Sequence, residues 1–86
     1  MIKINYTSRF KKSLQKMNPP VTKVLKTKLK LFRQNPYAAP LKTHKLKGKL
    51  APYWDFSVTK PIRILFVFEN KKEVTFINIG PHEIYR

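Results

Sequence analysis

Two histidines, His44 and His82, and an arginine set in an apolar run, Arg63, are the groups of this chain best suited to acid–base and charge-stabilising chemistry. Imidazole is the side chain whose ordinary pKa lies nearest neutrality, so each histidine can act as a base or as an acid. A base, an acid and a cation together are what self-cleavage of RNA requires. One group takes the proton from a 2′-hydroxyl, one supports the charge developing on the phosphate oxygens, and one protonates the departing 5′-oxygen. The nucleophile then belongs to the substrate, and no metal is demanded. Two loop histidines in a lysine-rich chain can equally be inert, and Arg63 is what moves the balance towards function. Asp55, Glu69, Glu73 and Glu83 are the only carboxylates, scattered or in turns, which disfavours two-metal hydrolysis. Asp55 reads as a group that orients Arg63 or a lysine rather than as a catalyst. With no glycine-rich phosphate loop and no serine nucleophile elbow, acyl transfer and nucleoside triphosphate chemistry fall away, and no cofactor is expected.

The elements that must position these groups can be read from hydrophobic period. Residues 2–6, "IKINY", alternate apolar and polar and predict a strand with Ile2, Ile4 and Tyr6 facing inward. Thr7 or Ser8 can cap a helix carrying Phe10, Leu14 and Met17 on one face. "NPP" at 18–20 ends it, and Asn18 with Pro19 opens a longer helix to about Gln34. Val21, Val24, Leu25, Leu29 and Phe32 form its apolar face, and Lys23, Lys26, Lys30 and Arg33 a basic stripe opposite. The stretch 35–52 holds three prolines and a glycine, and is mostly loop with at most a brief extended piece. "YWDFSV", "IRILFVF" and "EVTFINI" then predict three strands, with "ENKK" as a hairpin turn.

A three-residue loop at Thr59, Lys60 and Pro61 puts Trp54, Phe56 and Val58 on one face with Ile62, Ile64, Phe66 and Phe68. A two-residue turn at Asn70 and Lys71 adds Ile77 and Ile79 to this core face, against which the helical hairpin buries its stripe. The other face carries Tyr53, Asp55, Ser57, Arg63, Leu65, Val67, Phe76 and Asn78. The expected fold is α+β, in the order β-α-α-β-β-β, as a single domain over 1–86 with the helices on one face of the sheet.

The chain has 19 Lys and Arg against 4 Asp and Glu, a formal net charge of +15, yet 42% of its residues are hydrophobic. It should therefore fold while attracting polyanions, with nucleic acid the first candidate partner, an acidic protein the second and a membrane surface last. "HKLKGKL" places Lys45, Lys47 and Lys49 at alternate positions, where an extended backbone would aim all three at phosphates. Tyr53 and Tyr85 could stack on splayed bases. No cysteine is present and no stretch approaches a membrane span, which suggests a cytoplasmic protein held together by packing alone.

From His44 to Tyr85, the "L-x-G" loop, the aromatic pair before the second strand, the "xRIxF" strand and the "IGxH" ending follow the order of a known family. The chain resembles the RelE/ParE superfamily of bacterial toxin–antitoxin systems, nearest its RelE, YoeB and YafQ branches. The resemblance implies a ribosome-dependent endoribonuclease that enters the ribosomal A site and cuts messenger RNA, leaving a 2′,3′-cyclic phosphate. In that frame Arg63 matches the phosphate-stabilising arginine, His82 the C-terminal general acid, and His44 the position of a histidine or glutamate base. Tyr85 resembles a terminal aromatic near the scissile phosphate. Ser57 and Pro61 depart from YafQ-like members, which carry a second histidine and an aspartate around the central hairpin. The family also implies an acidic antitoxin, with Lys23, Lys26, Lys30 and Arg33 as a landing strip, and a toxin that is monomeric when free and hetero-oligomeric when bound. The alternatives are a ParE-like poison of DNA gyrase that is not a nuclease, and a plain basic nucleic-acid-binding module.

Overall fold

A computed structural model describes residues 1–81 and 84. Strand β1 (Lys3–Tyr6) leads into helices α1 (Ser8–Gln15) and α2 (Pro19–Gln34). A 3₁₀ turn at Ala39–Leu41, the short strand β2 (His44–Lys45) and a second 3₁₀ turn at Gly48–Leu50 follow. Strands β3 (Trp54–Ser57), β4 (Arg63–Asn70) and β5 (Glu73–Gly80) complete one five-stranded sheet in the order β1-β5-β4-β3-β2. The α+β arrangement expected from the sequence is the one observed.

The helices begin where their capping chemistry says they should. Thr7 Oγ1 accepts from the Phe10 amide, and Asn18 Oδ1 accepts from the Val21 amide ahead of a proline that needs no partner for its nitrogen. These contacts satisfy amides that the first helical turn leaves unpaired. Both helices then bury an aromatic ring on the sheet. Phe32 of α2 is fully buried, stacked on Phe56 at 4.8 Å and edge-on to Phe66 and Phe76. Burying one such side chain contributes about 1.5–3 kcal/mol, and deleting it leaves a cavity as well, so Phe32→Ala should cost about 3–5 kcal/mol.

Two features of the sheet go beyond a simple meander. First, β1 pairs in parallel with β5, Lys3 opposite Glu73 and Tyr6 opposite Phe76, which closes the edge left open by the meander. Tyr6 ends this strand partly exposed, its ring against Phe10 and Phe76 rather than inside the core. Second, the β4–β5 register slips between Leu65 and Phe66, where Leu65 pairs with Asn78 but Phe66 pairs with Phe76. Ile77 is the extra residue of this bulge. Below it Val74 and Phe76 are fully buried in the core, above it Ile79 is, and Ile77 is not. The expectation that Phe76 lies on the far face and Ile77 in the core is thus corrected. A single inserted residue reverses the alternation for everything on one side of it. The Thr7 hydroxyl lies 3.0 Å from the Phe76 and Ile77 carbonyl oxygens, so the bulge is tied to the start of α1.

Val24, assigned to the apolar face of α2, is exposed, and Trp54, assigned to the core, is only partly buried. No helix among the described residues is long and apolar enough to cross a membrane.

Candidate active site

On the face away from the helices, adjoining strands β2, β3 and β4 bring three charged or titratable side chains together. Register sets His44 directly opposite Asp55, and Arg63 opposite Ser57 two pairs further along β3. Asp55 is fully buried. Its Oδ2 accepts from Arg63 Nε at 3.0 Å and its Oδ1 from Arg63 Nη2 at 3.3 Å, a side-on bidentate pair. Oδ1 also lies 3.0 Å from His44 Nδ1. One carboxylate therefore holds both the arginine and the histidine, and a buried anion requires such partners.

The geometry assigns the histidine its working nitrogen. His44 Nδ1 faces two acceptors, the Asp55 carboxylate and the Lys42 carbonyl oxygen at 3.2 Å, so Nδ1 carries the hydrogen. In the neutral ring, Nε2 then keeps its lone pair and can accept a proton. With 54% of its side chain exposed, His44 is open to a substrate while Asp55 is not. Arg63 is 17% exposed at its side chain, with Nε–H and one Nη2–H occupied by Asp55. The Nη1 group has no acceptor among the described residues and remains available for an oxyanion.

The local sequence explains the placement. Trp54, Phe56 and Val58 direct one face of β3 towards the helices, so Asp55 and Ser57 fall on the other. The "VTKPI" link is closed by the Val58 amide donating to the Ile62 carbonyl at 2.8 Å, and it returns Arg63 beside Asp55. β2 lasts only two residues, extended by the Leu46 amide donating to the Tyr53 carbonyl. Tyr53 is half-buried at this junction.

Other proposed binding groups are dispersed. Lys45 pairs with Trp54, hence lies on the face opposite His44. The extended backbone stops at Lys47, and Lys49 lies in the 3₁₀ turn after Gly48, whose φ of 65° breaks the alternation. The three lysines do not form one row. Of the α2 stripe, Lys23, Lys26 and Lys30 are exposed, while Arg33 is half-buried and donates to the Tyr6 hydroxyl.

His82 and Tyr85 lie outside the described residues. Their described neighbours are anchored, since Ile84 is buried and its amide donates to the Pro81 carbonyl. Gly80 makes room for this: a Cβ there would stand 2.7 Å from Ile84 Cγ2. Ile84 lines a shallow groove together with Ser13, Met17, Asn78 and Ile79, with Gly80 and Pro81 at its side. No group of three or more metal-ligating side chains occurs among the described residues.

A strand, two helices and a meander that closes back on the first strand, with a buried carboxylate binding a histidine and an arginine on the open face, define a RelE-type toxin architecture. Residues 2–85 match the family model of YafQ, the bacterial toxin of type II toxin–antitoxin systems, and the chain belongs to that family. Among solved structures it resembles YafQ from E. coli strain BL21(DE3), with a TM-score of 0.78 and 22% identity over 98% of this chain and 97% of that one. The DinJ–YafQ complex from E. coli matches with a TM-score of 0.68 and 22% identity over 98% and 97%. The YoeB–YefM complex from Staphylococcus aureus matches with 0.73 and 19% identity over 95% and 98%. At these identities the likeness establishes the fold. No curated protein sequence matches the chain.

Proposed function

We propose that this toxin is an endoribonuclease that cuts messenger RNA on the ribosome by attack of the 2′-hydroxyl on the adjacent phosphate. The observation that carries this reading is the Asp55 carboxylate bound at once to His44 Nδ1 and to Arg63. His44 Nε2 takes the 2′-hydroxyl proton, with Asp55 fixing the ring and stabilising the imidazolium that forms. The 2′-oxygen bonds to phosphorus while the free edge of Arg63 supports the charge growing on the non-bridging oxygens. The bond from phosphorus to the 5′-oxygen breaks, and His82 gives that oxygen a proton, leaving a 2′,3′-cyclic phosphate and a 5′-hydroxyl. Tyr85 stacks beside the scissile nucleotides. This sequence asks for no metal, because the nucleophile is the substrate's own hydroxyl.

The family further supports an antitoxin as partner, as YafQ is found with DinJ and YoeB with YefM, and this chain's charge favours an acidic one. With a net charge of +15, an acidic segment along Lys23, Lys26, Lys30 and Arg33 would be held by long-range attraction as well as by contact. Binding of an acidic peptide that survives charge reversal at these four positions removes the stripe from the interface. The site of action is the cytoplasm, where messages are translated. Primer extension on messenger RNA from cells expressing the chain tests the main reading. New cuts within translated frames are expected, and intact transcripts accompanied by gyrase-dependent DNA damage would replace it with the gyrase-poison alternative.

A further inference from the structure

Beyond the end of α2, on the face opposite His44 and Arg63, three aromatic rings form a surface cluster. Tyr37 lies nearly parallel to Phe68, 5.9 Å apart at 22°. Trp54 meets both edge-on, at 5.9 Å from Tyr37 and 5.2 Å from Phe68. Tyr37 is 58% exposed, so the face of its ring is open to a ligand. Beside it opens a hollow of about 450 Å³ lined by Tyr37, Phe68, Asn70 and Lys71. Lys45 stands opposite Trp54 in the β2–β3 register, so a second cation borders the same rings.

We infer that this cluster is a second RNA-binding surface, which stacks an unpaired base of ribosomal RNA against Tyr37 while Lys45 and Lys71 contact the flanking phosphates. Stacking on an aromatic face combined with lysine contacts to the backbone is how proteins hold single-stranded nucleic acid. The chain's charge complements such a ligand, and Tyr37 and Phe68 offer it ring faces beside Lys71. In the proposed reaction the scissile strand lies on the other face of the sheet, and ribosomal RNA is the RNA segment that a ribosome-bound toxin leaves facing this one. The source of that segment rests on the ribosome-dependent reading above; the stacking itself does not.

The test is co-sedimentation of the intact toxin with message-free bacterial ribosomes. Tyr37→Ala should weaken binding roughly 5- to 150-fold, whereas Tyr37→Phe, which keeps the ring, should bind like the parent. Equal binding by Tyr37→Ala and the parent overturns the proposal. Failure of every form to co-sediment refutes the ribosomal source along with the ribosome-dependent reading. A 2′-O-methyl RNA heptanucleotide then decides the stacking alone. Trp54 is the only tryptophan, so its emission reports this cluster. Quenching in the parent, with much weaker binding by Tyr37→Ala, supports an RNA surface. Emission unchanged by saturating RNA but altered by a glutamate-rich, leucine-bearing peptide overturns it in favour of a protein-binding surface.

Discussion

Two carboxylates sit near opposite edges of one sheet and live under different physics. Asp55, on β3 beside the short edge strand β2, is fully buried and bound by Arg63 and His44. Glu73 begins β5 beside the edge strand β1. It accepts from the Asn5 and Asn70 amides and stands 3.9 Å from Lys3 at the surface. Each ties neighbouring strands together. Only the first is enclosed where removing its charge would strand another charge, and only the first holds groups that can transfer a proton or support an oxyanion. The contrast teaches that in a chain this basic burial and charged partners, rather than position near a sheet edge, set one carboxylate apart from another.

The comparison can be broken most strongly at Asp55. Asp55→Asn keeps shape and volume but removes the charge that fixes His44 as a base, and cleavage should fall about 10²–10⁴-fold. Single-turnover rates, with a melting curve to establish folding, check this. Arg63→Ala should come next, lowering the cleavage rate about 10²–10³-fold while ribosome affinity changes far less. Gly80→Ala sharpens the contrast from a distance. The new Cβ must displace Ile84, which should lower stability by about 1–3 kcal/mol and reduce cleavage more than ribosome binding, because the tail bearing His82 loses its anchor.

The smallest effect belongs to Glu73. Its hydrogen bond from Asn5 holds it below the ordinary carboxylate range, against opposing desolvation, with Lys3 and Asn70 adding to the lowering. A carboxylate lowered in the folded state adds stability above its unfolded pKa and loses it as pH falls through the folded one. Glu73→Gln should therefore melt slightly below the parent at neutral pH, converge with it as pH falls through the lowered pKa of the folded state, and leave cleavage unchanged.

Much of this contrast is legible in the sequence. The Thr7 cap and the Asn18-Pro19 helix start are local signals, and the structure follows them; the "ENKK" hairpin also forms, but its turn residues are Lys71 and Lys72, with Asn70 paired to Glu73, one position beyond the expected Asn70 and Lys71. The three-residue loop at 59–61 is also local, and it suffices to put Asp55 and Arg63 on the same face. What escaped was non-local. The parallel pairing of β1 with β5 joins residues at opposite ends of the chain. The bulge at Ile77 depends on how Thr7 meets β5, so counting alternate residues could not foresee that Phe76 enters the core. Asp55 was recognisable as an orienting group for Arg63, but its bond to His44 required the two-residue strand β2, too short to leave a period. Tyr37 gave no signal because the proline-rich loop around it has no pattern.

The division of labour between the two histidines is the central claim, and the leaving group tests it directly. A ribosome-bound message with a 5′-phosphorothiolate at the scissile bond departs with little need of a proton. It should restore cleavage to His82→Gln, whose missing step is protonation of the leaving group. It should not restore His44→Gln, whose missing step is deprotonation of the 2′-hydroxyl. Equal rescue of both variants, or rescue of neither, would contradict the assignment of His44 as base and His82 as acid.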